Sequence, residues 1–227
     1  MSDLISYELT DGVATITLDD GKVNALSPAM TAAIGAGLDR AEADQAVVVL
    51  TGRGRTFSAG FDLRVPPEEW PAMLAAGAEL AQRLLAFPQP TVIACNGNAV
   101  AMGAFLLLTA DERIGASEGT IGLNEVAIGM TMPWFGIALA RHRLTAPAFD
   151  RCAVTGVLLD PAAARDAGFL DQVVDAEALA DTVRETAARL TSVNREAHAA
   201  TKLRIRARML EELRDAVTRL DGPLDQA

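Results

Sequence analysis

The sequence has few of the residues that build disulfide frameworks and metal centres. It contains two cysteines, Cys95 and Cys152, and two histidines among 227 residues. The cysteines form no C-x-x-C pair, and Cys95 lies in the apolar segment TVIAC, where a cysteine behaves as a small buried hydrophobe. Cysteine and histidine that are this scattered disfavour both a zinc site and a disulfide scaffold, so we expect no bound metal.

Basic residues and long apolar segments are also scarce. The chain has 20 Lys and Arg against 30 Asp and Glu, a net charge of -10, and no basic run. Nucleic-acid binders show a basic face, so this class is disfavoured. The longest nearly apolar segment, 99–110, is too short to span a bilayer, and the first residues lack the basic and apolar regions of a secretory signal. We expect a cytoplasmic protein with no nucleic-acid or membrane partner.

Aromatic residues make up only 4% of the chain, although hydrophobic residues make up 50%. The core must therefore consist mainly of Ala, Val, Leu and Ile, whose small side chains allow close approach of backbone segments. A chain of this length buries about 70% of its surface on folding, which is enough for a substantial core.

The first half of the sequence alternates strand and helix patterns. Segments 4–10 and 13–18 alternate in polarity around an Asp11-Gly12 turn, which predicts a hairpin. Ser27 and Pro28 are typical of a helix start, and the apolar runs 47–50 and 91–95 are typical of buried strands. Helices are predicted over 68–86 and 101–110, and a short strand over 113–115.

The second half is predicted to be mostly helical, with helices near 134–143, 147–155, 161–167, 177–190 and 192–219. This order predicts an α/β core over residues 1–144 and a helical C-terminal region over 145–227, within one functional unit.

Local motifs for hydrolase and nucleotide chemistry are weak. The segment GASEG (115–119) fits the G-x-S-x-G nucleophile elbow, but TIGLNE follows it and does not begin a helix. We interpret it as a surface turn. No segment fits a P-loop or a strand–GxGxxG–helix unit, which disfavours nucleotide binding.

Two segments can present backbone amides to a ligand. FSAGFDL (57–63) places small residues at a turn after a predicted strand, and NGNAVAMGAFLLL (96–108) places Gly103 at the start of a buried helix. A helix start carries free N–H groups, and two converging amides can hold an oxyanion. Taken alone, each segment is more typical of a simple tight turn than of an oxyanion site.

These two segments, followed by IGLNEVAIGM (121–130), resemble the crotonase (enoyl-CoA hydratase/isomerase) superfamily over nearly the whole chain. GLNE and the segment 156–174 are most similar to the mitochondrial-type Δ3,Δ2-enoyl-CoA isomerases. The resemblance implies a crotonase-like α/β fold with a spiral core of ββα units. It also implies an acyl-CoA thioester substrate, no cofactor beyond the CoA of that substrate, and a homotrimer or dimer of trimers.

The resemblance further implies a role for individual residues. The backbone amides of Ala59 and Met102 would hold the thioester oxygen, and Glu125 would be the catalytic carboxylate. Gly60 and Gly103 would let the backbone approach the thioester, and Asp62 would also serve a structural role. Together the implied substrate-binding residues are Lys22, Val23, Ala25, Leu26, Gly60, Phe61, Asp62, Gly103 and Phe105. We add Trp134 as a lining residue of the acyl pocket, with core packing as an equal alternative.

Phe105 separates the possible reactions. Members that hydrate carry a second glutamate at this position, whereas the isomerase branch has an apolar residue. Addition of water needs a base for the water and an acid for the α-carbon, whereas a 1,3-proton shift needs one carboxylate. We therefore expect an isomerase, with a hydratase or other crotonase-type acyl-CoA enzyme as the alternative. A non-catalytic acyl-CoA-binding protein is a second alternative, disfavoured by Glu125 and the two amide segments.

Overall fold

A computed structural model describes residues 4–218, which begin with a β-hairpin. Strands β1 (Ile5–Thr10) and β2 (Val13–Leu18) pair antiparallel. Asp11 and Gly12 between them both have positive φ, 50° and 77°. Two consecutive positive φ values are typical of the tight turns that match strand twist, and the predicted hairpin is confirmed.

Helix α1 (Pro28–Ala43) follows, and its start is the predicted one. The Ser27 hydroxyl accepts a hydrogen bond of 3.2 Å from the Met30 amide, and Pro28 occupies the first turn. The helix buries Met30, Ile34 and Leu38, which lie one turn apart on one face.

After α1 the chain repeats a unit of two strands and a helix three times, which confirms the α/β fold with ββα units. Each unit has a first strand of five or six residues and a shorter second strand. The units are β3 (Val47–Gly52), β4 (Thr56–Ser58) and α2 (Trp70–Ala86); β5 (Thr91–Cys95), β6 (Asn98–Val100) and α3 (Met102–Leu107); and β7 (Glu112–Ala116), β8 (Ile121–Gly122) and α4 (Trp134–Arg143).

The C-terminal part is helical but contains two strands that we did not predict. Its elements are α5 (Ala146–Thr155), β9 (Leu158–Leu159), α6 (Pro161–Ala167), β10 (Gln172–Val174), α7 (Leu179–Thr191) and α8 (Arg195–Thr218). Strands β9 and β10 each join a sheet of the core. Helix α8 packs against α2 and α4. Residues 219–227 of the predicted helical region lie outside the described residues.

The strands form two sheets, and the smaller one positions the candidate site. The larger sheet has the order β1-β2-β3-β5-β7-β10, and the smaller one has the order β4-β6-β8-β9. Strands β4, β6 and β8 run parallel. Because parallel strands end at the same edge of a sheet, the loops that follow these three strands meet there.

Helix α3 is shorter than the predicted helix over 101–110. It ends at Leu107, and the amides of Leu108, Thr109 and Ala110 donate instead to carbonyls three residues earlier. Residues 102–110 are all buried. The apolar composition of this segment therefore predicted its burial correctly. The same composition does not indicate where the α-helix gives way to tighter hydrogen bonds between residues three apart.

The few aromatic residues are concentrated in the core. The largest fully buried side chains are those of Phe57, Phe87, Phe105, Phe135 and Phe169, surrounded by Ala, Val, Leu and Ile. Across residues 4–218, no helix combines the length and the apolar composition needed to cross a membrane.

Candidate active site

The loop after β4 is held by a buried network of polar groups. The Asn24 side-chain amide donates to the carbonyl oxygens of Thr56 (2.8 Å) and Phe57 (3.2 Å). The Ser58 hydroxyl donates to the Asn24 carbonyl at 2.8 Å and accepts from the Gly60 amide at 3.2 Å. Asn24 is 2% exposed and Ser58 is not exposed. Because buried polar groups must keep their partners, this network fixes the shape of the loop.

The Ala59 amide, expected to face the thioester, already has a partner in the fold. It donates to the Val23 carbonyl at 3.0 Å. A donor bonded in this way must break that bond before it can serve a ligand, so the structure does not support the expected role of Ala59.

The Phe61 amide, two residues further on, differs from the Ala59 amide in its hydrogen bonding. Leu26 and Phe61 form a parallel bridge in which the Leu26 amide donates to Gly60 (2.8 Å) and the Asp62 amide donates to Leu26 (3.3 Å). This pattern leaves the Phe61 amide out of the bridge, and no hydrogen-bond acceptor for it is found within residues 4–218. Phe61 therefore replaces Ala59 as the candidate donor of the first loop.

The loop after β6 presents the Met102 amide. Ala101 has φ 51° and ψ -123°, a conformation rarely adopted by residues other than glycine, and α3 begins directly after it. Met102 is thus the first helical residue, whose N–H has no intrahelical acceptor. A Cβ on Gly60 would lie 3.3 Å from the Met102 nitrogen and 2.9 Å from the Val100 carbonyl oxygen. The two candidate amide segments are therefore in contact.

Gly103 also marks a close approach, but its neighbour is the protein itself. A Cβ on Gly103 would lie 2.9 Å from the Ser58 Cβ and would collide with the Ser58 carbonyl. The expected close approach at Gly103 therefore joins the first loop to α3, and it leaves no space for a thioester at that face.

The loop after β8 carries Glu125, which precedes a 3-10 turn over Val126–Ile128. Its side chain is 6% exposed, and within residues 4–218 its Oε2 atom has no hydrogen-bond partner. Burial raises the pKa of Glu125 to about 6, because a carboxylate is less stable away from water. Val100 pairs with Gly122, so Met102 and Glu125 follow adjacent, paired positions at the sheet edge.

Phe105 occupies the core next to this edge. Its ring is fully buried and meets the Phe135 ring edge-to-face with centroids 5.7 Å apart. A Cβ on Gly136 would lie 2.7 Å from the Phe105 ring. The Phe105 ring is therefore tightly packed on all sides. If Phe105 lines the substrate site, it does so from the core side.

The acids nearest to Glu125 in sequence are engaged elsewhere. Glu112 accepts from Arg189 at 3.0 Å, and Glu118 pairs with Arg55. Neither is a free second carboxylate for Glu125.

The expected CoA-binding segment lies in a rigid turn. The Asp20 carboxylate accepts from the amides of Lys22 (2.7 Å) and Ala25 (2.9 Å), which shapes the turn. Lys22 and Val23 are exposed, and Ala25 is half-buried. Leu26 is 1% exposed, so its side chain belongs to the core, and only its backbone could serve the expected role.

The last two expected residues, Asp62 and Trp134, differ in burial. The Asp62 carboxylate accepts from its neighbour Arg64 at 2.8 Å, which is consistent with a structural role. Trp134 begins α4 and is 52% exposed.

Within residues 4–218, a buried carboxylate with an unshared oxygen lies on a loop at the same sheet edge as the loops of two unpaired backbone amides. This arrangement is suited to one kind of chemistry. The carboxylate can take a proton next to a carbonyl group, and the amides can hold the oxyanion that forms. Fold and site together are compatible with proton transfer on carbonyl compounds.

Comparison with known proteins gives the family. The profile of the enoyl-CoA hydratase/isomerase family matches residues 8–221, so the chain belongs to this family of crotonase-fold enzymes. The chain is 35% identical to a putative enoyl-CoA hydratase of Thermus thermophilus, covering 77% of this chain and 76% of the relative. It is 31% identical to the human mitochondrial enoyl-CoA delta isomerase 1, covering 89% and 70%.

A solved structure of an enoyl-CoA hydratase/isomerase family protein from Pseudomonas syringae superimposes with a TM-score of 0.94. It has 48% identity and covers 96% of both chains. The family resemblance inferred from the motifs is confirmed.

Proposed function

We propose that this protein is a Δ3,Δ2-enoyl-CoA isomerase that works with a single carboxylate. The observation that supports this most directly is the buried, unshared oxygen of Glu125, with the Phe105 ring where a hydratase would carry its second acid. One base is sufficient to move a proton between two carbons of the same substrate.

The reaction follows from the site. Glu125 removes a proton from C2 of a 3-enoyl-CoA, and the electrons of that C–H bond delocalise over the double bond and the thioester carbonyl. The amides of Phe61 and Met102 donate hydrogen bonds to the resulting dienolate oxygen. The protonated Glu125 returns the proton to C4, the double bond moves to C2–C3, and 2-enoyl-CoA leaves with the carboxylate restored.

Hydration is the less favoured reaction because water has no second acid to hold it. The apolar Phe105–Phe135 pair offers no hydrogen bond to a water molecule, and the same apolar surroundings strengthen Glu125 as a base. We place the CoA part along the exposed Lys22 and Val23 and the half-buried Ala25, and the acyl part towards Trp134.

We also propose a homotrimer or dimer of trimers. Four exposed apolar side chains support self-association because they lie on neighbouring elements, namely Val126, Ile128, Val154 and Leu158, each 41–63% exposed.

The wild-type enzyme with two substrates tests the proposal. With 3-enoyl-CoA, the enzyme should produce the absorbance of the conjugated thioester. With 2-enoyl-CoA, hydration should remove that absorbance at least about 10²-fold more slowly, because one missing acid–base group costs about this factor in rate. Efficient hydration with little isomerisation would assign the alternative reaction. Binding of acyl-CoA without either reaction would assign a non-catalytic role.

The pH dependence of isomerisation should report Glu125. Its pKa of about 6 is raised by burial, and only the ionised form can accept the C2 proton. We expect kcat/KM to rise with pH, to reach half its maximum near pH 6 and to be level above about pH 7. A kcat/KM profile that is flat down to pH 5 would contradict this assignment.

A further inference from the structure

One glycine of α2 contacts the side chains of both residues that we propose as oxyanion donors. Gly77 lies buried in the middle of α2 with ordinary helical backbone. A Cβ on Gly77 would collide with the Phe61 ring, 2.7 Å from Cε1, and would lie 3.4 Å from the Met102 Cε. A helix-interior glycine costs about 1 kcal/mol relative to alanine, so helix propensity does not explain its presence here.

The two glycines of α1 do not have this surrounding. Gly35 in α1 has its nearest neighbour, an Arg83 guanidinium nitrogen, 3.9 Å from the position of an added Cβ. Gly37 meets only the terminal methyl and methylene groups of Ile5 and Ile16, which can rotate away. Gly136 in α4 also meets an aromatic ring, that of Phe105, but the ring at Gly77 belongs to a residue that we propose as an oxyanion donor.

Only two rotatable bonds join the rigid Phe61 ring to its backbone, so a ring displacement that these torsions cannot absorb within their rotamer wells shifts the backbone of residue 61. On the other side, Gly60 is closed in by Val100 and Ala101, which fixes the preceding peptide. The Met102 side chain is fully buried against α2 as well. The positions of the two amides relative to each other therefore depend on how closely their side chains can approach α2.

We propose that Gly77 is a positioning residue that seats Phe61 and Met102 against α2, so that their amides point at one oxygen atom. This inference rests on the proposed function of those amides. Because an oxyanion site acts mainly in the transition state, its misplacement should lower kcat with little change in KM.

The test compares Gly77→Ala with the matched control Gly35→Ala. We expect Gly77→Ala to lower kcat at least about 10-fold, approaching the 10²–10³-fold typical of a lost oxyanion donor, while Gly35→Ala keeps the wild-type kcat. The vibrational frequency of the thioester carbonyl in bound 2-enoyl-CoA gives a second readout. It should fall on binding to the wild type and move back towards its value in water in Gly77→Ala.

A double variant tests whether Gly77 acts on the amide of residue 61 through the Phe61 ring. Phe61→Ala removes the ring but keeps the backbone amide, so adding Gly77→Ala to it should lower kcat little further. An equal loss of kcat with and without the ring would overturn the proposal, and so would a wild-type carbonyl shift in Gly77→Ala. If Gly77→Ala does not fold, Phe61→Ala alone tests the proposal. Without its ring packed against α2, the amide of residue 61 should be less well positioned and the carbonyl shift should be smaller. An unchanged carbonyl shift in Phe61→Ala would overturn the proposal.

The role of Gly77 and the proposed reaction can be tested separately. A wild-type protein that binds 2-enoyl-CoA without any carbonyl shift would overturn the amide site and this inference together. A carbonyl shift in the wild type without isomerase activity would overturn only the proposed reaction, and the comparison of Gly77→Ala with wild type by carbonyl frequency would still decide the role of Gly77.

Discussion

Glu125→Gln should remove nearly all isomerisation, with kcat reduced by about 10²–10⁴, the usual contribution of a positioned general base. Glutamine keeps the size and planarity of the side chain but cannot accept the C2 proton. The side chain is buried and its Oε2 atom has no partner within residues 4–218, so no ion pair is lost in the exchange. The fold should therefore survive while the chemistry does not.

Glu118→Gln is the matched control, because Glu118 is 55% exposed and, among the described residues, pairs only with the exposed Arg55. We expect it to keep wild-type kcat and KM. Initial rates with 3-enoyl-CoA, together with binding of the same ligand to both variants, separate a lost base from lost binding. A Glu125→Gln enzyme that binds normally and retains more than about a tenth of the wild-type kcat would contradict Glu125 as the base.

The elements with local signals were predictable from the sequence. The Asp11-Gly12 hairpin and the Ser27 cap rest on residues within a few positions of each other. The short strands β4, β6, β8 and β9 were missed because each has only two or three residues. Such strands exist through pairing with distant segments, which no local pattern of polarity records.

The same distinction explains the outcome at the candidate site. The motifs identify the loops of Met102 and Glu125, and the structure brings both to one sheet edge. The choice between Ala59 and Phe61 depends on a hydrogen bond to Val23, which lies 36 residues earlier in the chain. The supporting Asn24 and Gly77 were missed, since their partners are known only from tertiary contacts. For Gly77, the one available signal in the sequence was a glycine within a helical pattern.

Stability should depend most on a buried charge cluster that fixes α8 to the core. The Asp111 carboxylate accepts from Lys202 Nζ at 2.6 Å and from Arg206 Nη2 at 2.8 Å, and also from the Thr91 amide at 2.8 Å. His198 Nε2 lies 3.5 Å away. Burial alone would raise the pKa of Asp111, but Lys202 and Arg206 hold that pKa below its ordinary value. The carboxylate is therefore ionised at neutral pH.

Asp111→Asn should lower the free energy of unfolding by about 3–5 kcal/mol, because it leaves two buried cations without their counter-charge. Lys202 and Arg206 have side chains only 3% and 8% exposed, so water cannot replace the lost carboxylate. The control is Asp39→Asn, which breaks the 2.6 Å pair with Arg83 at a site 72% exposed, where pairs contribute about 0–1 kcal/mol.

Urea unfolding of the three proteins at pH 7 measures the difference between Asp111→Asn and the wild type. Because the pKa of Asp111 is lowered by folding, its contribution is complete above the unfolded value of about 3.9 and is lost as the pH falls through the folded value. Burial lowers the pKa of Lys202 to about 8, and loss of the Asp111 charge should lower it further. The deficit of Asp111→Asn should therefore be complete at pH 6 and smaller at pH 8, where Lys202 can release its proton. A deficit no larger than that of Asp39→Asn would show that Asp111 does not hold α8 in place.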